Sequence, residues 1–162
     1  MAMEIQVLTP SQLNRLKPML LRFAKTYGDK RITHQALRWL RDLSADEFPE
    51  GTLISVAIIQ KRLAGIIAFG RYGLDEALIV VHPSHRKSNV GETLLYHALE
   101  ELDKVYTRVA CDNIPSLRLC FSTGLVAFRM FTGPTGKPTL WLGGGNWNRH
   151  DVTEDPARGS RR

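Results

Sequence analysis

Residues 77–95 read Ala-Leu-Ile-Val-Val-His-Pro-Ser-His-Arg-Lys-Ser-Asn-Val-Gly-Glu-Thr-Leu-Leu. An apolar run breaks at Pro83, crosses a short polar turn and enters a helical pattern at Asn89 to Gly91. A helix start carries N–H donors without intrahelical acceptors, at the positive end of the aligned peptide dipoles. A strand–turn–helix of this kind is therefore a ready phosphate or pyrophosphate seat. Gly91 lets a ligand approach the backbone closely, and Asn89 tolerates a left-handed conformation. Arg86 and Lys87 add positive charge beside the seat. The same outline fits a polar turn before a helix that binds nothing, and the segment lacks both the Gly-Lys-Ser/Thr of a nucleotide P-loop and the GxGxxG of a dinucleotide fold.

A second polar stretch, Asn113-Ile-Pro-Ser-Leu-Arg-Leu-Cys-Phe-Ser-Thr-Gly-Leu125, follows a strand and opens a short helix closed by Gly124. Cys111 and Cys120 are the two cysteines, too few for a disulfide framework or a zinc site of cysteines alone. His34 and His97 fall in helical patterns without a metal-ligand partner at suitable spacing, so no metal is expected.

The elements that must position these stretches follow from periodicity. Residues 4–8 alternate as a strand, and Thr9-Pro10-Ser11 supplies a turn with a helix N-cap. The spacing then predicts a helix ending at Gly28 in a left-handed C-terminal position, kinked or restarted at Pro18, and a second helix over about Thr33 to Leu43. Residues 53–59 and 63–69 read as a hairpin, and a strand spans about Asp75 to Val81. A helix over Gly91 to Lys104, a strand over Tyr106 to Cys111, a helix over Pro115 to Ser122 and strands at Val126 to Phe131 and Thr139 to Leu142 complete the order. The expected fold is an α+β or α/β mixture, a central mixed twisted sheet of about seven strands with helices on both faces. Residues 1–145 form one domain, and 146–162 read as a mobile tail.

Together the two polar stretches resemble the GNAT superfamily of acetyl-CoA-dependent N-acyltransferases. Its phosphate loop, V-x-P-x-x-(R/Q)-x-x-G-x-(G/A), has Val81, Pro83, Arg86, Asn89 and Gly91 at those places, and N-x-x-(A/S)-x-x-L-Y-x-x-x-G-F is matched by Asn113, Ser116, Leu119 and Gly124. The element order extends the resemblance over about residues 4–142. It implies acetyl-CoA, or a close acyl-CoA, in a cleft where two parallel neighbouring strands splay apart. The strand ending at Val81 would offer backbone groups to the pantetheine arm, the N–H groups of Lys87, Ser88, Asn89, Val90, Gly91, Glu92 and Thr93 would wrap the pyrophosphate, and Asn113 would contact the cofactor or tie the strands beside it. By position, the Ile79 N–H would polarise the thioester oxygen, an oxyanion-type donor.

Two departures stand out. Asn89 replaces the first loop glycine, and Cys120 stands where the family often carries the tyrosine that protonates the leaving thiolate. Cys120 either donates that proton, with a thiol pKa near the ordinary value of about 8.5, or is inert core. A protonated amine is not nucleophilic, so a base is required. Asp75 lies six residues before Val81, where histone-acetylating members carry a catalytic glutamate, and Glu76 points to the opposite face. The alternative is that both are solvated at the strand start or paired with Arg71. His82 and His85 are relay or phosphate-contact candidates or merely solvated, while Trp39, Phe128, Phe131 and Trp141 either shape the acceptor site or pack as core.

Composition sets the remaining bounds. The 162 residues carry 22 Lys+Arg against 16 Asp+Glu, a net charge of +6 spread thinly along the chain. That distribution makes a nucleic-acid role a minority reading and leaves attraction to a small anionic ligand. No apolar stretch is long enough to span a bilayer, and free thiols fit a reducing compartment, so a cytoplasmic protein is expected. The expected activity is direct acetyl transfer from acetyl-CoA to a primary amine, with a non-catalytic acyl-CoA-binding or regulatory module as the alternative. The acceptor is not legible, and an exposed final strand suggests a homodimer through edge pairing.

Overall fold

The computed structural model describes residues 2–153. Strand β1 (Met3–Val7) leads into α1 (Pro10–Tyr27) and α2 (His34–Asp42), followed by β2 (Leu53–Ile59), β3 (Arg62–Gly70) and β4 (Glu76–Val81). Then come α3 (Val90–Leu102), β5 (Lys104–Ala110), α4 (Ile114–Ser122), β6 (Val126–Thr132) and β7 (Pro138–Gly145). All seven expected strands are present, but their ladders form two antiparallel sheets, β1-β2-β3-β4 and β5-β7-β6, rather than one mixed sheet. The discontinuity falls between β4 and β5. These strands run in the same direction, since Gly73 lies against Tyr106 and, further along both, Glu76 lies against Arg108.

The period-2 alternation of β2, β3 and β4 divides the core. Ala57, Ile67 and Phe69 pack with α3 residues Leu94, Leu95 and Ala98 on one face. Val56, Ile66, Leu78 and Val80 pack with Leu13, Leu20 and Leu40 from α1 and α2 on the other. Helices therefore cover both faces, as expected. Thr9 caps α1 in a reciprocal box with Gln12, its hydroxyl accepting from the Gln12 N–H at 3.2 Å and its own N–H donating to Gln12 Oε1 at 2.9 Å.

Helix α1 continues through Pro18, which excludes the restart among the two expected outcomes there. Three expectations need correction. Gly28 has φ −79°, so it is not left-handed; a Cβ there would lie 2.5 Å from both the Ala24 oxygen and Ile32 Cγ1, and close approach is what requires glycine. The last strand, β7, lies between β5 and β6, which moves the free edge of that sheet to β6 and removes the final strand from edge pairing. Finally, residues 146–153, assigned to the tail, pack against the second sheet, while 154–162 lie outside the described residues.

That packing has a polar centre. The fully buried Tyr106 hydroxyl donates to the Asp151 carboxylate and accepts from the Asn148 N–H at 2.8 Å, and Lys104 Nζ lies 3.1 Å from Asp151. Val152 is buried beside it, and Trp147 stacks on Phe128 at 4.7 Å. The Tyr106 hydroxyl, and then Lys104, hold the Asp151 carboxyl below the usual range, while burial pushes the Tyr106 phenol up to about 12. A depressed folded-state carboxyl pKa stabilises the fold above the unfolded value, and this is lost as pH falls through the folded one. Asp151→Asn should therefore cost about 1–2 kcal/mol at about pH 7, with the gap to the parent narrowing below about pH 4. Urea denaturation at the two pH values checks this.

Candidate functional site

After β4 the chain makes one helical turn over Pro83–His85, with the His82 ring at its head accepting from the Ser84 N–H at 3.2 Å and packing 4.5 Å from Tyr27. Asn89 then adopts φ 60°, ψ 22°, the left-handed conformation expected of it, and α3 begins. The first ladder bond of α3 runs from the Thr93 N–H to the Asn89 oxygen at 3.0 Å, and the Thr93 hydroxyl donates to the same oxygen at 2.7 Å. Before that bond, the amides of Lys87, Asn89, Val90, Gly91 and Glu92 have no acceptor among the described residues. They leave unsatisfied donors at the positive end of a 13-residue helix. Gly91 is buried where a Cβ would stand 3.2 Å from Leu119, so the helix start sits tight on α4.

Three expected ligands of this loop are used internally. The Ser88 N–H donates to the His85 oxygen at 3.1 Å, and the Thr93 N–H opens the helix ladder. Arg86 donates to the Val81 oxygen at 3.2 Å and the Tyr27 oxygen at 2.9 Å, and pairs with Asp29 at 2.9 Å. Its guanidinium fastens the loop to the C-terminus of α1. Lys87 is exposed, with no ion-pair partner among the described residues.

Register determines what the end of β4 presents. The His82 N–H donates to the Ala64 oxygen at 2.8 Å, so pairing with β3 alternates from there along Val80, Leu78 and Glu76. The N–H and C=O groups of Ala77, Ile79 and Val81 consequently point away from β3, toward β5. The same argument from the Cys111 N–H to the Pro138 oxygen at 2.9 Å turns the backbone groups of Arg108 and Ala110 toward β4. Two strand edges face one another across a cavity of about 330 Å³ lined by Ile79, Ala110, Asn113, Ser116 and Cys120. The Asn113 side chain makes no hydrogen bond among the described residues at the head of α4.

Glu76 separates from Asp75 as period 2 requires. Asp75 is exposed, lies outside β4 and pairs with Arg71 at 3.1 Å, so it takes no part in the cleft. Glu76 is 8% exposed and lines a second cavity of about 200 Å³ with Arg31, Gln35, Arg108 and Phe131. This cavity shares Ala77, Leu78 and Thr139 with the first, so the two adjoin. Burial raises the Glu76 carboxyl above its ordinary value, opposed by Arg108 at 3.6 Å and the Ala77 N–H. Cys120 is buried and its thiol is pushed up to about 12 by desolvation. A thiol that retains its proton so strongly is a poor acid toward a thiolate of ordinary pKa. The inert reading of Cys120 is the one its burial favours.

Of the aromatic candidates, Phe131 lines the second cavity, Trp141 is buried, and Trp39 packs over Gly70, where a Cβ would meet its ring at 2.6 Å. His97 bonds the buried Ser55 hydroxyl at 3.0 Å. Arg108, which lines both cavities, was not singled out in the sequence, because an arginine in mid-strand carries no local signal of its partners.

Residues 18–121 match the sequence model of the acetyltransferase (GNAT) family. The chain belongs to this family. Among solved structures, a GNAT-family acetyltransferase from Streptococcus pneumoniae is similar at 15% identity and TM-score 0.66, over 89% of this chain and 99% of that one. The ribosomal-protein-S18-alanine N-acetyltransferase of Escherichia coli is similar at 17% identity and TM-score 0.63, over 91% and 99%. The yncA protein of Salmonella typhimurium, solved with its cofactor acetyl-CoA, is similar at 18% identity and TM-score 0.60, over 96% of each chain. No curated protein matches the chain. Among the described residues, no helix of this GNAT-family protein is long and apolar enough to cross a membrane.

Proposed function

We propose that this chain transfers the acetyl group of acetyl-CoA directly to a primary amine. The observation that carries the reading is the junction of two cavities: one between strand edges where the backbone groups of Ile79 and Arg108 have no partner among the described residues, the other holding a buried carboxyl. An extended pantetheine arm, with its amides, suits the gap between β4 and β5 as an added strand suits a sheet edge. The unpaired amides of Lys87, Asn89, Val90, Gly91 and Glu92 suit its pyrophosphate. Asn113 is placed to donate to the same ligand.

The chemistry follows from position. Glu76 takes a proton from the incoming ammonium, whose positive charge its carboxylate and the cavity accommodate. The neutral amine attacks the thioester carbonyl carbon, the C–N bond forms, and the Ile79 N–H stabilises the oxygen as negative charge develops on it. The C–S bond breaks, and the second proton shed by nitrogen passes to sulfur, so amide and free thiol leave. Neither Asp75 nor Cys120 is needed for this proton balance.

Isothermal titration with acetyl-CoA should show one site per chain, and Gly91→Leu, which fills the space against Leu119 and the loop amides, should weaken binding at least tenfold. Binding that Gly91→Leu leaves unchanged would move the ligand elsewhere. Release of free thiol with a panel of amines tests turnover; binding without release for every amine would instead support a non-catalytic acyl-CoA module.

A further inference from the structure

Arg108 is the side chain that spans the gap between the two sheets at the inner end of the cleft. Its side chain is 22% exposed. From β5 it donates to the Asp75 carbonyl at 3.2 Å, reaches the Glu76 carboxylate at 3.6 Å, and lies over the Trp141 ring at 5.2 Å. Each contact limits a different freedom. The carbonyl bond fixes the guanidinium to the start of β4, and the indole of a buried tryptophan supports its plane from behind. The remaining approach presents its charge to Glu76. Held across a gap with no backbone ladder, Arg108 ties the start of β4 to β5 and sets the field at Glu76, the one carboxylate among the described residues lining the second, acceptor-side cavity.

We infer that Arg108 is a positioning residue, holding the Glu76 carboxylate in its proton-accepting form and aimed into the acceptor-side cavity. The inference rests on the reading of Glu76 as the base. A carboxylate this buried would otherwise keep its proton near neutrality, and an opposite charge at this distance counters that. The other groups around Glu76 do less. Arg31, from the loop between α1 and α2, lines the cavity but spends its charge on Asp112 at 2.9 Å. Asp75, beside it on the chain, turns its carboxylate to Arg71. Gln35 and Ala36 of α2, Phe131 of β6 and Thr139 of β7 are uncharged.

The test compares kcat/KM against pH for the parent, Glu76→Gln, Arg108→Gln and Arg108→Lys with one amine that turns over, beside a carbon-13 NMR titration of the Glu76 carboxyl without substrate. Arg108→Gln should move the acidic limb and the carboxyl titration together to higher pH, by about one to two units. The rate should recover at alkaline pH and the KM for acetyl-CoA should stay within about threefold. Arg108→Lys, which keeps the charge but loses the planar support, should shift both in the same direction by less. A rate lowered equally at every pH, with the carboxyl titration unmoved in either variant, would reduce Arg108 to a structural tie and overturn the inference. If Arg108→Gln does not fold, the lysine variant and the titration decide alone. An acidic limb that stays at the parent's pH in Glu76→Gln, rather than moving up toward the pKa of the free amine, would instead sink the reading of Glu76 and leave the NMR result on Arg108 to stand separately.

Discussion

Glu76→Gln should lower kcat/KM for the amine by about 10²–10⁴-fold near neutral pH while leaving acetyl-CoA affinity unchanged. The substitution preserves size but removes both the proton acceptor and the negative charge that faces Arg108 and the incoming ammonium. Glu76 lines the acceptor-side cavity and not the one assigned to pantetheine, so cofactor binding is not touched. The pH dependence carries the mechanism. Without an internal base only the neutral fraction of amine in solution reacts, so the variant's rate should climb about tenfold per pH unit toward the free amine's pKa of about 10. The parent should level off above the raised pKa of its carboxyl. A stopped-time thiol assay across pH measures both curves, and a variant within about threefold of the parent would remove Glu76 from the chemistry.

The largest expected effect on stability lies at Gly73. Its φ is +101°, and a Cβ would stand 1.7 Å from the Tyr106 backbone oxygen. Tyr106 is fully buried in mid-strand, so that oxygen cannot retreat as a flexible side chain could. Gly73→Ala should cost more than about 4 kcal/mol, a drop of about 10 °C or more in Tm for a domain of this size. Gly136, at φ +83° with nothing within 4 Å of its Cβ, is the control: alanine there meets only the left-handed penalty of about 1–2 kcal/mol. Thermal unfolding of the two variants separates close approach from backbone strain, and equal midpoints would contradict the assignment. Gly73 also sets how near the start of β4 comes to β5, and with it the distance from Arg108 to Glu76.

What could be read in advance was what depends on neighbours in sequence. The left-handed Asn89 and the helix start behind it follow from a polar turn two residues before a glycine, and the opposite facing of Asp75 and Glu76 from period 2 alone. What escaped depends on distant partners. Arg86 looked like free charge beside an anion seat because its acceptors, Tyr27 and Asp29, lie across the fold on α1 and its following loop. Arg108 looked like an ordinary strand residue because Asp75, Glu76 and Trp141 meet it only once the sheets are assembled. Residues 146–153 lack any periodicity, yet Asp151 and Val152 are held by Lys104, Tyr106 and Arg129. The split into two sheets likewise has no trace in the strand pattern, since an unpaired edge and a paired one carry the same apolar alternation.

On the proposed function, acetyl-CoA lies between β4 and β5 with its thioester at Ile79 beside Glu76. A crystal structure of the protein with acetyl-CoA measures that location directly. The proposed function predicts the thioester oxygen within hydrogen-bonding distance of the Ile79 N–H, the pyrophosphate on the amides of Lys87, Asn89, Val90, Gly91 and Glu92, and the acetyl carbon at the mouth of the cavity that holds Glu76. Acetyl-CoA bound outside the β4–β5 gap, or bound there with its acetyl group directed away from Glu76, would contradict it.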